Sequence, residues 1–566
     1  MAVAVIGSGA LRTKVVLVGL YDVNTVALAP EILKSYVERF PVSRAFDMRT
    51  LNLSIFSQSV DEMEGILRAE SAAIVGFSTY IWNVTLVREL ARRLPGTIIL
   101  GGPQMNGVTG EFFRENPGVD FVVQGEGEET FRELLEYFVG ERALETIPGV
   151  VTAHVATPPR PVVGDLATLP SPYSRIFVEH PELEWVAYET SRGCPYLCGF
   201  CTWGYSKKMR YHDLSRVMAD LDVILAQPRL ERIYLCDSSI LLDKPRAKAI
   251  LRHVIRRNRA IVIRYEFNAE HLDDEIIELL LELPENEFNF GVQTTNPAAL
   301  RAMRRPFHRE KFEANYAKLA RRKERTSITM DVIYGLPGDD LAGFKASLEY
   351  VMGFEQVRWI LTNPLILLPG SDFHADRERH GIVVRDTESF IVESTATFSK
   401  EDMVEAIRLS FLVSVVFFNE RLRDAIKASA IETGCGYVDT VIAFFDALPF
   451  RVLEGNSYPY LVPSVARDFR ERNLAIFRVQ SLYPDIVQCF DAHTRGAHGD
   501  LLVGWEHAFV PQYHRLVRFA VEEARREGLL HDERAGTAVS AIDGPVVAVH
   551  FPAARSTEPA SMPAAR

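Results

Sequence analysis

Short, wholly apolar runs that alternate with amphipathic segments, twice over in a chain of 566 residues, predict an α/β protein in three successive parts. The first is a doubly wound parallel sheet, the second a partial TIM-like (β/α)6 barrel and the third a mixed α/β domain. Strand-length runs without polar interruption read as strands buried on both faces, the habit of parallel sheets. The length suits three or four cores at roughly 150 residues each. A composition of 47% hydrophobic and 24% charged residues supplies ample material to bury.

The first series occupies residues 14–145. Strands are expected at Lys14–Gly19, Ala73–Ser78, Thr97–Leu100 and Phe121–Gln124, with helical periodicity at Pro30–Arg39, Thr85–Arg93 and Glu126–Val139. Ligands of such sheets sit in the crevice beyond the carboxyl ends of the strands. The residues there are Tyr21 and Asp22; Ser78, Thr79 and Tyr80; Gly101, Gly102, Pro103 and Gln104; and Gly125, Glu126 and Gly127. Glycine lets a backbone approach a bulky ligand closely, although tight βα turns use it for purely structural reasons as well.

Residues 146–180 read as a linker, because Pro148, Pro158, Pro159, Pro161 and Pro170 interrupt any helix. The second series spans 181–385. Strands are expected at Trp185–Glu189, Arg232–Cys236, Ile261–Asn268, Glu287–Gln293, Ser327–Tyr334 and Gln356–Leu368, with helices between them. Six βα units fit a partial barrel, whose site forms at the strand C-termini. Candidates there are Ser238 after the second strand, Glu266 and Glu270 on and after the third, Gln293 after the fourth and Gly335 after the fifth. Asp and Ser after strands also serve as helix caps. Glu266 stands out, because an acid inside the run IVIRYEF is expelled from a core unless paired or used. With a period of two, Glu266, Asn268 and Glu270 share one phase, which makes the two carboxylates the catalytic candidates; the structural alternative is an ion pair with Arg264.

Half of the six cysteines lie in one loop, SRGCPYLCGFCTWG, as Cys194, Cys198 and Cys201. Three thiolates at this spacing can hold three irons of a cubane and leave the fourth open. A structural zinc site wants a fourth ligand, and His212 stands alone nearby. Disulfide pairing suits three clustered cysteines poorly.

With Phe200 before the last cysteine, a strand-like Trp185–Glu189 and the turn Ser191-Arg192-Gly193, this loop resembles the cluster loop of the radical S-adenosylmethionine (SAM) superfamily. The resemblance implies a 4Fe–4S cluster on Cys194, Cys198 and Cys201, SAM on the fourth iron, and an external electron donor. Upstream, GFSTYIWN, LGGPQMN and QGEGEETF resemble the cobalamin-binding domain of cobalamin-dependent radical SAM proteins. That implies cobalamin on the first sheet and methyl transfer from SAM through cobalt to a carbon. Residues 1–153 contain no histidine, so the DxHxxG motif that replaces cobalt's lower base elsewhere is missing, as in the radical SAM subgroup. Domain order and an undivided C-terminal region are most similar to the tryptophan-methylating branch of thiopeptide biosynthesis, so a small-molecule substrate, an aromatic amino acid by preference, is expected. Other cobalamin radical SAM chemistry, such as sp3 methylation or rearrangement, is the alternative. A methylthiotransferase would carry cysteines upstream of Cys194, and a non-enzymatic cobalamin-binding regulator would need no SAM.

Ser399 and Asp402 suggest an N-cap opening a long helix towards Ala430 within a C-terminal domain at 386–552, and 553–566, rich in Ala, Pro and Ser, reads as a disordered tail. The net charge of −12, without a long basic run, argues against nucleic acid. No apolar run approaches the length of a membrane span, and MAVAVIGSGALRTK lacks a secretory core, so a cytoplasmic monomer is expected.

Overall fold

The computed structural model describes residues 12–21, 25–55, 58–203, 206–258, 260–283, 286–321, 326–385, 390–418 and 420–446. Asp22, the aromatic-rich stretch from residue 447 onward and the C-terminal tail lie outside them.

The first sheet has six strands: β1 (Thr13–Tyr21), β2 (Phe46–Ser54), β3 (Ile74–Ser78), β4 (Thr97–Gly101), β5 (Phe121–Val123) and β6 (Val150–Val151), in the order β2-β1-β3-β4-β5-β6. The first five are parallel. One core on this sheet packs Met63, Leu67, Val87 and Leu90 from the helices Val60–Ala69 and Val84–Arg93. The other packs Val37, Phe131, Leu134 and Phe138 from Leu28–Val37 and Gly127–Phe138. Helices on both faces make the sheet doubly wound, as the apolar runs require. Chain order reverses between β1 and β3, so the ligand crevice falls at their carboxyl ends.

Two strands depart from the sequence reading. β2 is half-buried, and its Asp47, Arg49 and Asn52 break the apolar run that marks the other strands. β6 lies in the supposed linker. Val150 and Val151 are buried and pair antiparallel with β5, because five prolines exclude a helix but leave an edge strand free to form.

The second sheet contains β7 (Trp185–Tyr188). A short hairpin, β8 (Ser191–Arg192) with β9 (Arg210–Tyr211), follows it, and then come β10 (Arg232–Leu235), β11 (Val262–Glu266), β12 (Asn286–Gln293), β13 (Thr326–Tyr334) and β14 (Val357–Pro364). The six long strands are all parallel, in the order β14-β13-β12-β11-β10-β7. This is the expected partial barrel. Ile263, Tyr265, Phe288, Phe290, Ile328 and Met330 face the surrounding helices and build the largest core, so the alternate residues line the lumen. The helix Lys400–Phe418 packs across β14, and the Ser399 hydroxyl accepts the Asp402 N–H at 3.0 Å, the expected cap.

The two domains meet through buried charge. Arg210 of β9 donates to both oxygens of Glu126 at 2.8 and 2.7 Å and to the Val163 carbonyl at 2.7 Å. Arg192 of β8 pairs with Glu128 at 2.7 Å and Glu189 at 2.8 Å. The Arg210 and Glu126 side chains are 5% and 6% exposed, which decides their weight. Removing one partner of a buried pair leaves the other charge uncompensated, at a cost of about 3–5 kcal/mol. Arg210→Met is therefore expected to lower stability by about that amount, read as a shifted midpoint in chemical denaturation. An unchanged midpoint would show that the pair is solvated.

Candidate cofactor sites

The cysteine loop is built on the β8–β9 hairpin. At its neck Gly193 has φ +100, and a Cβ there would sit 2.6 Å from the Lys208 carbonyl oxygen, so only glycine fits. Cys194 N–H donates to the Ser206 carbonyl at 3.0 Å. Further on, Gly199 donates to Met303 at 2.9 Å and accepts from Phe373 at 2.8 Å, and a Cβ would meet the Phe373 ring at 3.0 Å. Phe200 packs on the apolar group that includes Met303, Leu336 and Phe373.

Among the described residues no group of three or more His, Cys, Asp or Glu is placed to hold a single metal ion. Thiolates that each bind a different iron of a cubane need not converge on one point, whereas the ligands of a zinc ion must. Desolvation pushes the Cys201 thiol up to about 11, although the residue reaches solvent at its edge; the Cys198 and Cys194 sulfurs add to the rise and the Trp203 N–H opposes it. Three neighbouring cysteines, which bind metal as thiolates, suit a cationic iron core. Arg305 approaches Cys198 Sγ at 3.6 Å while donating to Asn268 Oδ1 and the Gly291 carbonyl, both at 2.7 Å. No local pattern in the sequence marks Arg305, because nothing there shows that a helix-side arginine bends back onto the loop.

Several candidates take structural roles. Ser238 donates to the Gly193 carbonyl at 2.7 Å and so holds the loop's neck. Gly335 has φ +78 and is approached by the Met403 thioether, to which a Cβ would come within 2.7 Å. Gln293 has φ +69, with its amide folded over Gly291. Glu266 and Glu270 do not share a phase: β11 ends at Glu266, and Glu270 lies on the tight turn Ala269–His271. There Glu270 is buried and accepts the His308 backbone N–H at 3.0 Å. Glu266 stays in the lumen, accepting the Tyr234 hydroxyl at 2.6 Å, with Arg264 only at 3.9 Å. Asp237 is buried under Thr190 and Ser191 hydroxyls; burial pushes its carboxyl up to about 6, against those hydrogen bonds.

On the first sheet the candidate loops gather at one rim. Thr79 N–H donates to Gly101 at 2.7 Å, and Gln104 N–H to Thr79 at 3.3 Å. Gly102, with φ +104, presses so closely on Thr79 that a Cβ would come within 2.5 Å of its carbonyl oxygen. Pro103 opens the following turn, Pro103–Met105, and Gly127 starts the helix behind the rim. Asn83, which sequence reasoning passed over, fastens the rim by donating to the Leu20 and Ser78 carbonyls at 3.2 and 3.1 Å. Tyr80 stacks on Trp82 with centroids 4.4 Å apart, and the Tyr21 ring, 5.7 Å from Trp185, links the rim to the barrel. Burial raises the Tyr80 phenol pKa against a hydrogen bond to Ser78, and the Cys236 and Glu189 side chains of the barrel add to the rise. Two buried polar atoms at the rim, Thr79 Oγ1 and Trp82 Nε1, have no partner among the described residues, and Gly125, with φ +80, has none of them within 4 Å of a Cβ placed on it. Orphaned polar atoms beside open space fit a large polar cofactor such as cobalamin. Glu126 is the exception, since its carboxylate is taken by Arg210 and the Val163 N–H.

A cobalamin-type domain joined to a radical SAM barrel is the class this fold and these sites define. Residues 27–135 match the B12 binding domain and residues 188–351 the Radical SAM superfamily, so the cofactors are cobalamin, SAM and a 4Fe–4S cluster. The chain is 29% identical over 367 residues to 2-(S-pantetheinyl)-carbapenam-3-carboxylate methyltransferase of Streptantibioticus cattleyicolor, covering 59% of this chain and 52% of that protein. It is 27% identical over 365 residues to the cobalamin-dependent radical SAM methyltransferase TokK of Streptomyces tokunonensis, with the same coverage. It thus spans about half the length of these curated relatives. Among solved structures, TsrM of Kitasatospora setae with tryptophan and aza-SAM bound matches with TM-score 0.52 and 19% identity over 64% of this chain and 74% of that one. OxsB with aqua-cobalamin and SAM bound matches with TM-score 0.59 and 14% identity over 90% and 84%. These two show the same fold.

Two outcomes test the sites. Changing Cys194, Cys198 and Cys201 together to Ala is expected to abolish iron uptake on anaerobic reconstitution and leave cobalamin bound, read by metal analysis; iron retained near four per chain would refute the assignment. Asp237, with its folded pKa above the ordinary carboxylate value of about 3.9, binds a proton more tightly in the native state. The native state therefore holds more protons between about pH 4 and 6, and stability from this group falls as pH rises through that window. Relative to wild type, Asp237→Asn is expected to gain stability between pH 4.5 and 7.5. A constant difference in denaturation midpoint would contradict the burial.

Proposed function

We propose that the protein is a cobalamin-dependent radical SAM C-methyltransferase that moves a methyl group from SAM to a carbon of a small molecule, with C2 of tryptophan the favoured acceptor. The observation that supports this reading is the junction of the two domains: the hairpin that carries the cysteine loop pairs through Arg210 and Arg192 with Glu126 and Glu128 beside the rim of the first sheet, and Tyr21 of that rim lies 5.7 Å from Trp185 of the barrel. Cys194, Cys198 and Cys201 would hold the cluster, and Tyr21, Ser78, Thr79, Tyr80, Gly101, Gly102, Gln104 and Gly125 the cobalamin. When bound, these groups and SAM supply the methyl donor, the cobalt relay and a source of radicals.

The chain's own residues do the positioning. Arg192 and Arg210 lock one rim against the other, so that donor and acceptor face each other across a fixed gap. Arg305 sets a guanidinium beside the Cys198 sulfur. The Tyr80, Trp82 and Tyr21 rings pack on one another at the rim between the domains. Residues 1–153 contain no histidine and so would supply no imidazole to a bound cobalamin.

A second reading, methylation of an sp3 carbon, is favoured by the likeness to the carbapenam methyltransferase. A panel separates the two. Reconstituted protein with SAM and reductant is expected to methylate L-tryptophan in preference to other aromatic amino acids, with product located by mass spectrometry. Absence of methylated aromatic product, with 5′-deoxyadenosine formed only when a non-aromatic acceptor is present, would transfer the assignment to sp3 chemistry.

A further inference from the structure

The barrel lumen is polar where its outer face is apolar. Along β11 and β12 the residues facing the helices are Ile263, Tyr265, Phe288 and Phe290, while Arg264, Glu266, Glu287 and Asn289 take the opposite phase. Asn289 lies opposite Glu266 on β11 and Thr329 on β13, and Asp331 follows two residues later in the same phase as Thr329. Asn289 is 6% exposed. Its Nδ2 donates to Asp331 Oδ2 at 2.9 Å, which turns its carbonyl oxygen the other way. Asn289 Oδ1 and Asp331 Oδ1 are both buried and accept from nothing among the described residues.

Two buried acceptors left bare beside a third, Glu266, make an uneconomical arrangement without a donor to fill it. Of the neighbouring cations, Arg305 is held by Asn268 and Gly291, while Arg264 lies over the Tyr234 ring with Glu287 at 3.8 Å and Glu266 at 3.9 Å, and its buried Nε donates to neither bare oxygen. Tyr234, the nearby hydroxyl, already donates to Glu266.

We propose that Asp331 and Asn289, with Glu266 beside them, form a recognition site in the lumen for a protonated primary amino group of the methyl acceptor. The site rests on the reading of the barrel as an active-site chamber and specifies the substrate's chemistry. An ammonium brings three donors and a positive charge, and so can meet both bare oxygens and the field of Glu266 at once, where an alcohol brings one donor and no charge. Burial, then Glu266, push Asp331 up to about 7, and a bound cation is the partner that would return it to its charged form. Asp331 stands opposite Gly291, whose carbonyl holds Arg305 against the cysteine loop. The site therefore lies inside the chamber below the Arg305 end of the mouth, with the rest of the acceptor directed toward the cofactors.

Phenethylammonium and its neutral counterpart 2-phenylethanol test this on the reconstituted enzyme carrying cluster, cobalamin and SAM, by anaerobic titration calorimetry. Phenethylammonium is expected to bind saturably and at least about tenfold more tightly than the alcohol, as a charged hydrogen-bonded contact requires. Asp331→Asn and Asn289→Leu are each expected to weaken the ammonium about tenfold or more and leave the alcohol unchanged. Iron and cobalt contents measured alongside show whether each variant is folded, and Asn289→Leu decides if Asp331→Asn fails to load. Equal affinity for the two probes, no saturable ammonium binding, or unchanged binding in a loaded variant would overturn the site. If the ammonium is discriminated while L-tryptophan yields no methylated product, the amino-group site stands and the tryptophan assignment falls.

Discussion

Buried charge joins the two cofactor-bearing halves. Glu126 and Glu128 start the helix behind the first sheet's rim, and Arg192 and Arg210 are the two strands of the hairpin from which the cysteine loop hangs. Each arginine crosses the domain boundary to one of these glutamates, and Glu189 at the end of β7 takes the other side of Arg192. Burial makes the pairs directional. A solvated pair at this boundary would contribute under about 1 kcal/mol and tolerate sliding, whereas desolvated guanidinium–carboxylate pairs hold one geometry because every other geometry strands a charge. The glutamates lie near the helix N-terminus, where the backbone dipole also favours negative charge.

From that fixed hairpin the cysteine loop takes its shape by close backbone contact. Gly193 and Gly199 let the chain pass against Lys208 and Phe373 at distances that a Cβ would forbid, while Ser238 and Asp237 clamp the neck from β10. The loop is thus supported from strands and helices distant in sequence, and the guanidinium beside it, Arg305, arrives from the far side of β12. The same economy holds on the first sheet. Gly102 is needed for the contact with Thr79, whereas Gly125 faces open space, so two glycines that look alike in sequence have opposite purposes.

The lumen shows a different balance. A barrel interior filled with branched apolar residues is a core; this one carries Tyr234, Arg264, Glu266, Glu287, Asn289 and Asp331, with unsatisfied oxygens among them. Such a layer costs stability, which the outer apolar faces of the same strands offset by packing on the helices. Polarity kept inside a chamber at that cost is the mark of a space meant for a polar ligand.

The sequence by itself determined the two parallel sheets, their order along the chain, the cysteine loop and the strand-end loops of the first domain, because apolar periodicity and the CxxxCxxC spacing are local properties of the chain. It missed β2, whose half-buried alternation includes charges, and β6, which forms only because β5 offers an open edge. It also aligned Glu266 with Glu270 by extending a strand period past the point where the chain turns at Ala269. The assignments of Glu126 to the domain boundary, of Ser238 to the loop's neck and of Arg305 to Cys198 were decided by the tertiary structure. Each joins residues tens of positions apart, and a side chain's partner across such a distance depends on how the elements pack, which no local pattern of residues encodes.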